Sequence, residues 1–218
     1  MPPAEQEIVW TVVVAGGSGA RFGGAKQYAD IGGRRMLDHT VAVARSCSAG
    51  VVVVVPAADV AAESSRGLVA VAGGATRSDS VRAGLAAVPD EATIVCVHDA
   101  ARPFAGAELF DDVVRAVHDG ADGAIPGVAV TDTIKVVDAG RRVVATPDRS
   151  TLVAVQTPQA FRAAVLRRAH ESGGHGTDDA ALVEQAGGTV VVVDGDVDNR
   201  KVTLPGDLAW ARERVASR

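Results

Sequence analysis

The residues best suited to chemistry begin where the first apolar run gives way to Ala15-Gly16-Gly17-Ser18-Gly19-Ala20-Arg21-Phe22-Gly23-Gly24-Ala25-Lys26-Gln27. Glycine lets backbone N–H groups approach anionic oxygens and adopt positive φ, while Arg21 and Lys26 supply compensating charge. Such a loop can wrap a triphosphate; the same composition also fits a surface turn carrying two cations. Two familiar phosphate loops do not match. Walker A requires GxxxxGK followed by Ser or Thr, but Gln27 follows Lys26, which leaves no hydroxyl for Mg²⁺ and disfavours a kinase or GTPase. The dinucleotide fingerprint needs GxGxxG, whereas Gly17, Gly19 and Gly23 give GxGxxxG, and no acidic residue stands about 20 residues further on at the end of the second strand. A dehydrogenase is disfavoured too.

A carboxylate follows the apolar run Ile94-Val95-Cys96-Val97-His98. If that run is a buried strand, Asp99 emerges at the carboxyl edge of the sheet, where open α/β folds bind ligands. Asp99 could there hold Mg²⁺ against phosphate oxygens, or it could cap the loop or pair with Arg102. Gly73-Gly74-Ala75-Thr76-Arg77-Ser78-Asp79-Ser80 again joins a strand to a helix and presents N–H groups, Arg77 and Ser80 on the same edge. It could hold a base or ribose, with Ser78 or Asp79 as the expected helix cap.

These loops need a scaffold of alternating strands and helices. Val- and Ile-rich segments recur at 8–15, 51–56, 69–72, 94–98, 123–128 and 189–194. Between them, Val81, Leu85 and Val88, and Leu109, Phe110, Val113, Val114 and Val117, fall at helical spacing. The order is βαβ, which predicts an α/β fold with a mainly parallel sheet covered on both faces. Residues 133–137 and 142–146 read instead as a hairpin around Asp138-Ala139-Gly140 that projects from the sheet. A projecting hairpin cannot bury itself and commonly pairs with a second copy, so a homodimer is expected.

The chain has 218 residues, 47% hydrophobic and only 3% aromatic, so one domain with a Val- and Ala-filled core is expected over 1–218. A net charge of -5 argues against a general nucleic-acid binder. Cys47 and Cys96 lack any CxxC or His pairing and read as buried small side chains rather than a disulfide or zinc site. No apolar run approaches the ~18 to 20 residues of a membrane span, and the N-terminus lacks a basic region followed by a long apolar stretch. A cytoplasmic protein without membrane partners is expected.

The order of the motifs is more specific than any one of them: AGGSGARFGGAKQY, GGATRSDSV, VHDAARPF, DTIK, DRS, QTPQAF, GTDDAALVE and DNRKVT. Together they resemble the methylerythritol phosphate cytidylyltransferase family over nearly the whole chain. That resemblance implies a single nucleotidyltransferase domain of Rossmann-like α/β type, a homodimer built through an arm at about 130–153, and a role in the non-mevalonate route to isoprenoid precursors. It implies that Arg21 and Lys26 grip the phosphates of CTP, and that Ala15, Gly16, Gly17, Gly74, Ala75 and Ser80 surround the cytidine. Ser18, Gly19, Arg77 and Ala100 are further expected nucleotide contacts, and Asp99 would serve Mg²⁺. Thr133 and Arg149 are similar to arm residues that reach into the neighbouring subunit to hold the methylerythritol phosphate. Thr177 and Lys201 match acceptor-site positions, with Lys201 near the attacking phosphate. Ala25 departs from a usual proline and Ala75 from a common acidic residue; neither removes a charge the chemistry needs.

In the implied reaction an acceptor phosphate oxygen attacks the α-phosphorus of CTP in line and pyrophosphate leaves. The acceptor is already ionised at neutral pH, so no general base is required, which suits a chain without a His dyad or Ser/His/Asp set. Fixed cations, Arg21, Lys26, Lys201 and Mg²⁺, are what the meeting of two polyanions demands. His98 reads as a packed neighbour of Asp99, and Asp194-Gly195-Asp196 as a turn rather than a metal-binding DxD. Ribitol-5-phosphate cytidylyltransferase and a CTP-binding protein without turnover are the competing readings. A fused cyclase of the same pathway is not expected, since the chain stops after the helix containing Trp210.

Overall fold

β-Branched side chains keep their preferred rotamers on a pleated surface, and the valine runs accordingly supply the sheet. In the computed structural model, which describes residues 7–17, 24–171 and 173–217, β1 (Val9–Val14) leads through a small hairpin, β2 (Asp30–Ile31) and β3 (Arg34–Arg35), to helix α1 (Met36–Ser46). The alternation continues with β4 (Gly50–Val55), α2 (Val60–Ser65), β5 (Val69–Ala72), α3 (Arg77–Leu85), β6 (Ile94–Asp99), α4 (Ala107–His118) and β7 (Gly123–Ala129). Four short strands follow, β8 (Val136–Val137), β9 (Val143–Ala145), β10 (Val153–Val155) and β11 (Gln159–Arg162). Helices α5 (Ala163–Glu171) and α6 (Asp179–Gln185), strand β12 (Val190–Asp194) and helix α7 (Pro205–Ala216) complete the order.

All six Val- and Ile-rich segments become strands of one sheet. β5, β4, β1 and β6 pair in parallel, and β12 pairs in parallel with β7. Between these blocks lies β11, antiparallel to both β6 and β7, so β7 and β12 run with the other four. β10 is also reversed and covers the far end of β7. The sheet is therefore mainly parallel, as the βαβ order predicts, with a reversed insertion that the sequence does not announce. Gln159-Ala160-Phe161-Arg162 is short and lacks a valine run, and its burial comes from neighbours on both sides.

Period-two alternation divides the core. Val12, Val52, Val54, Val95 and Val97 face α3, α5 and α6, with Val81, Leu85, Leu166, Leu182 and Val183 packed against them. Val13, Val51, Val53, Val55 and Cys96 face the opposite layer, where α1 and α4 contribute Leu37, Val41, Leu109, Phe110, Val113 and Val117. Both thiols are free. Cys96 is buried, which pushes its thiol up to about 12; Cys47, against expectation, is only half-buried, at the end of α1.

The expected hairpin forms as a separate two-stranded unit, β8 with β9. Its ladder is shorter than 133–137 and 142–146, because the turn extends to Arg142: Asp138 N–H donates to Arg142 O at 3.0 Å and the Asp138 carboxylate accepts from Arg142 N at 2.9 Å. The left-handed residue is Arg141, with φ 60°, not Gly140.

Candidate functional site

Strands β5, β4, β1 and β6 end side by side, and the loops that leave β1, β5 and β6 build the site on the carboxyl edge of the sheet. Ala15 N–H closes onto Val54 O at 2.7 Å, so the glycine-rich loop starts from a fixed point. Lys26 opens a single 3-10 turn, Lys26–Tyr28, and its Nζ donates to Val202 O at 3.0 Å. The second loop enters α3 through a capping box formed by Thr76 and Asp79. The cap is Thr76, not Ser78 or Asp79 as the sequence suggests; those two lie in the first turn, where the Asp79 carboxylate returns a bond from Thr76 N–H at 3.0 Å. Ser80 Oγ donates to Thr76 O at 3.0 Å and accepts from Gly74 N–H at 3.2 Å, which folds the loop over the start of the helix.

A cavity of about 590 Å³ is lined by Ala15, Gly16, Gly17, Lys26, Gly74, Ala75, Arg77, Ser80, Asp99, Ala100 and Lys201, together with Thr76 and Gln27. A second cavity of about 310 Å³ adjoins it and is lined by Arg102, Gln156, Thr157, Gln159, Thr177 and Asp178. Arg77, Asp99 and Lys201 line both. The partition between the cavities is thus a carboxylate flanked by two cations: Lys201 Nζ reaches Asp99 Oδ2 at 2.6 Å, and Arg77 Nε reaches Oδ1 at 3.4 Å. Burial works against the charge on Asp99, but Arg77 and then Lys201 outweigh it and hold the carboxyl well below the usual carboxylate range. Asp99 is therefore a fixed anion, and it pairs with these two rather than with Arg102, whose guanidinium goes to Asn199 O at 2.7 Å and Val155 O at 3.3 Å.

The support behind Asp99 was not legible as such. Asp99 N–H donates to Thr157 Oγ1 at 3.0 Å, and Thr157 Oγ1 meets His98 Nδ1 at 2.8 Å. His98 is 1% exposed, packs edge-on against Phe110 and is pushed down to about 4 by burial, so it stays neutral and structural. Asn199, fully buried, donates to Thr157 O at 2.9 Å and anchors the segment carrying Lys201. Asp194-Gly195-Asp196 is not the turn expected from the sequence: Asp194 ends β12, Gly195 N–H on Gly127 O prolongs its pairing with β7, Asp196 N–H donates to Gln156 Oε1, and the chain turns only at Val197 and Asp198. The sequence signal for this network is the QTPQ motif itself, where Gln156, Thr157 and Gln159 are buried polar side chains that need partners.

Ser18, Gly19 and Arg21 lie outside the described residues. Thr133 and Arg149 line neither cavity of this chain; both are exposed, and Arg149 Nη1 donates to Thr131 O at 2.6 Å. Among the described residues no three His, Cys, Asp or Glu side chains gather into a metal cluster.

A model of the family described as 2-C-methyl-D-erythritol 4-phosphate cytidylyltransferase matches residues 9–217. The chain is 45% identical over 222 residues to the "Bifunctional enzyme IspD/IspF" of Anaeromyxobacter dehalogenans, covering 94% of this chain and 56% of that protein. It spans about half the length of the bifunctional curated relatives it matches. It is also 45% identical over 222 residues to a 2-C-methyl-D-erythritol 4-phosphate cytidylyltransferase of Frankia casuarinae, covering 98% and 84% of the two chains. Of solved structures, 4-diphosphocytidyl-2C-methyl-D-erythritol synthase from Anaerococcus prevotii matches with a TM-score of 0.85 at 27% identity over 96% of this chain and 99% of that one. The 2-C-methyl-D-erythritol 4-phosphate cytidylyltransferase of Thermus thermophilus matches with a TM-score of 0.80 at 33% identity over 94% and 98%.

Proposed function

This chain belongs to the 2-C-methyl-D-erythritol 4-phosphate cytidylyltransferase family, and on that premise we propose that it transfers the cytidylyl group of CTP to 2-C-methyl-D-erythritol 4-phosphate and releases pyrophosphate. The carrying observation is the partition of Arg77, Asp99 and Lys201 shared by two adjoining cavities. The larger one, with the two glycine-rich loops and Lys26, suits the nucleotide. The smaller, with Arg102 and Thr177, suits a polyhydroxylated phosphate. An acceptor phosphate oxygen would form the new bond to the α-phosphorus while the bond to the bridging oxygen of the leaving pyrophosphate breaks. Lys201 at the partition would meet the incoming phosphate, and Lys26, with Arg21 by motif, would face the charge that develops on the leaving group.

Asp99 fits Mg²⁺ of the kind held by one protein carboxylate and substrate phosphates, being a permanent anion on the cavity wall. When bound there, Mg²⁺ would neutralise charge on the phosphate oxygens. Lys201 would then exchange its bond to Asp99 for one to phosphate.

The proposal extends to a homodimer joined through the arm at about 130–153, with Thr133 and Arg149 serving the partner's acceptor site, within one nucleotidyltransferase domain over 1–218. Val136, Val137, Val143 and Val144 are each at least 44% exposed on the hairpin, an apolar surface that favours a partner. A cytoplasmic address accords with the free thiols, and among the described residues no helix is long and apolar enough to cross a membrane.

Pyrophosphate release from CTP and Mg²⁺ tests the reading with methylerythritol 4-phosphate, ribitol 5-phosphate or no acceptor. Release with the first supports it. Preference for ribitol phosphate would keep the mechanism and change the substrate, while CTP binding without release in any arm would mean a binding protein.

A further inference from the structure

Asp179 opens α6 directly after its cap Asp178, at a place no substrate-side reasoning reaches. Its side chain is 1% exposed, yet it meets Arg77 Nη1 at 2.7 Å and His170 Nε2 at 3.1 Å. A buried carboxylate is costly unless it is paired, and well-packed apolar residues often stabilise a fold as well as a buried ion pair does. What the pair does to Arg77 is more specific. An arginine beside a carboxylate tends to fork onto it with two parallel N–H donors. Here Arg77 offers Asp99 only Nε, at 3.4 Å, while Nη1, on the opposite side of the guanidinium from the Nε/Nη2 edge that could fork onto Asp99, is held by Asp179 at 2.7 Å.

The same seam reaches the acceptor side. Arg82 Nη1 donates to Gly174 O at 3.1 Å, Gly176 N–H donates to Ser78 Oγ at 3.4 Å, and His175 Nδ1 lies 3.3 Å from Thr76 Oγ1. The segment leading to Thr177 is therefore tied to the first turns of α3, beside Arg77.

We propose that Asp179 is a positioning residue for the transfer reaction: it holds the Arg77 guanidinium at the boundary of the two cavities and prevents it from forking onto Asp99. The inference rests on the cytidylyltransferase reading. Without Asp179, Arg77 closes on Asp99 and occupies the oxygens that face the reacting phosphates.

The test is a double-mutant cycle on kcat/KM with Asp179→Asn and Arg77→Ala, alone and combined. Asp179→Asn is expected to lower kcat on the order of 10-fold or more with a smaller change in the KM for CTP. Little further loss is expected in the Arg77→Ala background. Activity within about two-fold of wild type, or losses that multiply across the cycle, would overturn the proposal. If Asp179→Asn fails to fold by circular dichroism, Asp179→Glu enters the same cycle under the same criteria. A wild-type protein inactive with every acceptor would count against the cytidylyltransferase reading instead. The Arg77 Nε–H resonance then decides for Asp179: it should shift in the folded Asp179 variant, and an unchanged resonance would refute the positioning role.

Discussion

Lys26 shows how one side chain depends on distant chain. Its ammonium sits on the carbonyl of Val202, next to Lys201, so the two lysines meet at one cavity although 175 positions separate them in sequence. Lys26 contributes a fixed cation without filling the core. Lys26→Ala is therefore expected to lower turnover on the order of 10²-fold or more while leaving the circular dichroism spectrum and melting temperature close to wild type. A variant that stays active, or that unfolds, would remove Lys26 from its assigned role. At this scale Lys26 and Asp99 were legible, since glycine-rich surroundings and a strand end mark them. Thr157, Asn199 and Asp179 were not, because a buried polar residue is distinguished only by its partners.

Among the elements, α3 carries Arg77 and Ser80 and must lie close on the sheet. Gly84 makes this possible: a Cβ there would meet Val12 Cγ1 and stand 2.9 Å from Val54 Cγ2. Alanine ordinarily stabilises a helix interior by about 1 kcal/mol over glycine, but overpacking costs roughly 1–3 kcal/mol. The steric effect wins, so Gly84→Ala is expected to lower the melting temperature; an unchanged or higher value would mean that α3 lifts from the sheet at little cost. Helix α7 depends on Asp207, whose carboxylate accepts from Leu204 N at 2.7 Å and Thr203 N at 2.8 Å. These bonds, Leu204 first, hold its carboxyl below the ordinary 3.8. Its stabilisation is present in full above that value and is lost as pH falls through the lower folded-state value. Asp207→Ala should cost about 1 kcal/mol at pH 7, and urea unfolding should show the gap to wild type narrowing below pH ~4. A gap independent of pH would mean that the carboxylate charge plays no part. The βαβ elements were legible from period-two and helical spacing, while reversed β11 was not, since four residues carry too little pattern to give a direction.

For the whole molecule, an exposed apolar hairpin is the expected dimer contact. Val144 is 60% exposed, so Val144→Asp should leave the fold intact and shift the species seen by sedimentation from dimer to monomer; a wild-type protein that is already monomeric would refute the arm as an interface. Sequence alone determined the mainly parallel α/β scaffold, the two glycine-rich loops and Asp99 at a strand end, because valine alternation, glycine content and strand-to-loop order are local properties. Only the tertiary structure decided that Arg77 divides itself between Asp99 and Asp179, that Lys201 meets Asp99, and that the cap of α3 is Thr76 rather than its neighbours. Asp99 and Lys201, like Arg77 and Asp179, lie 102 positions apart. Contacts of that span arise from how the sheet closes and its loops converge, and no local pattern specifies them.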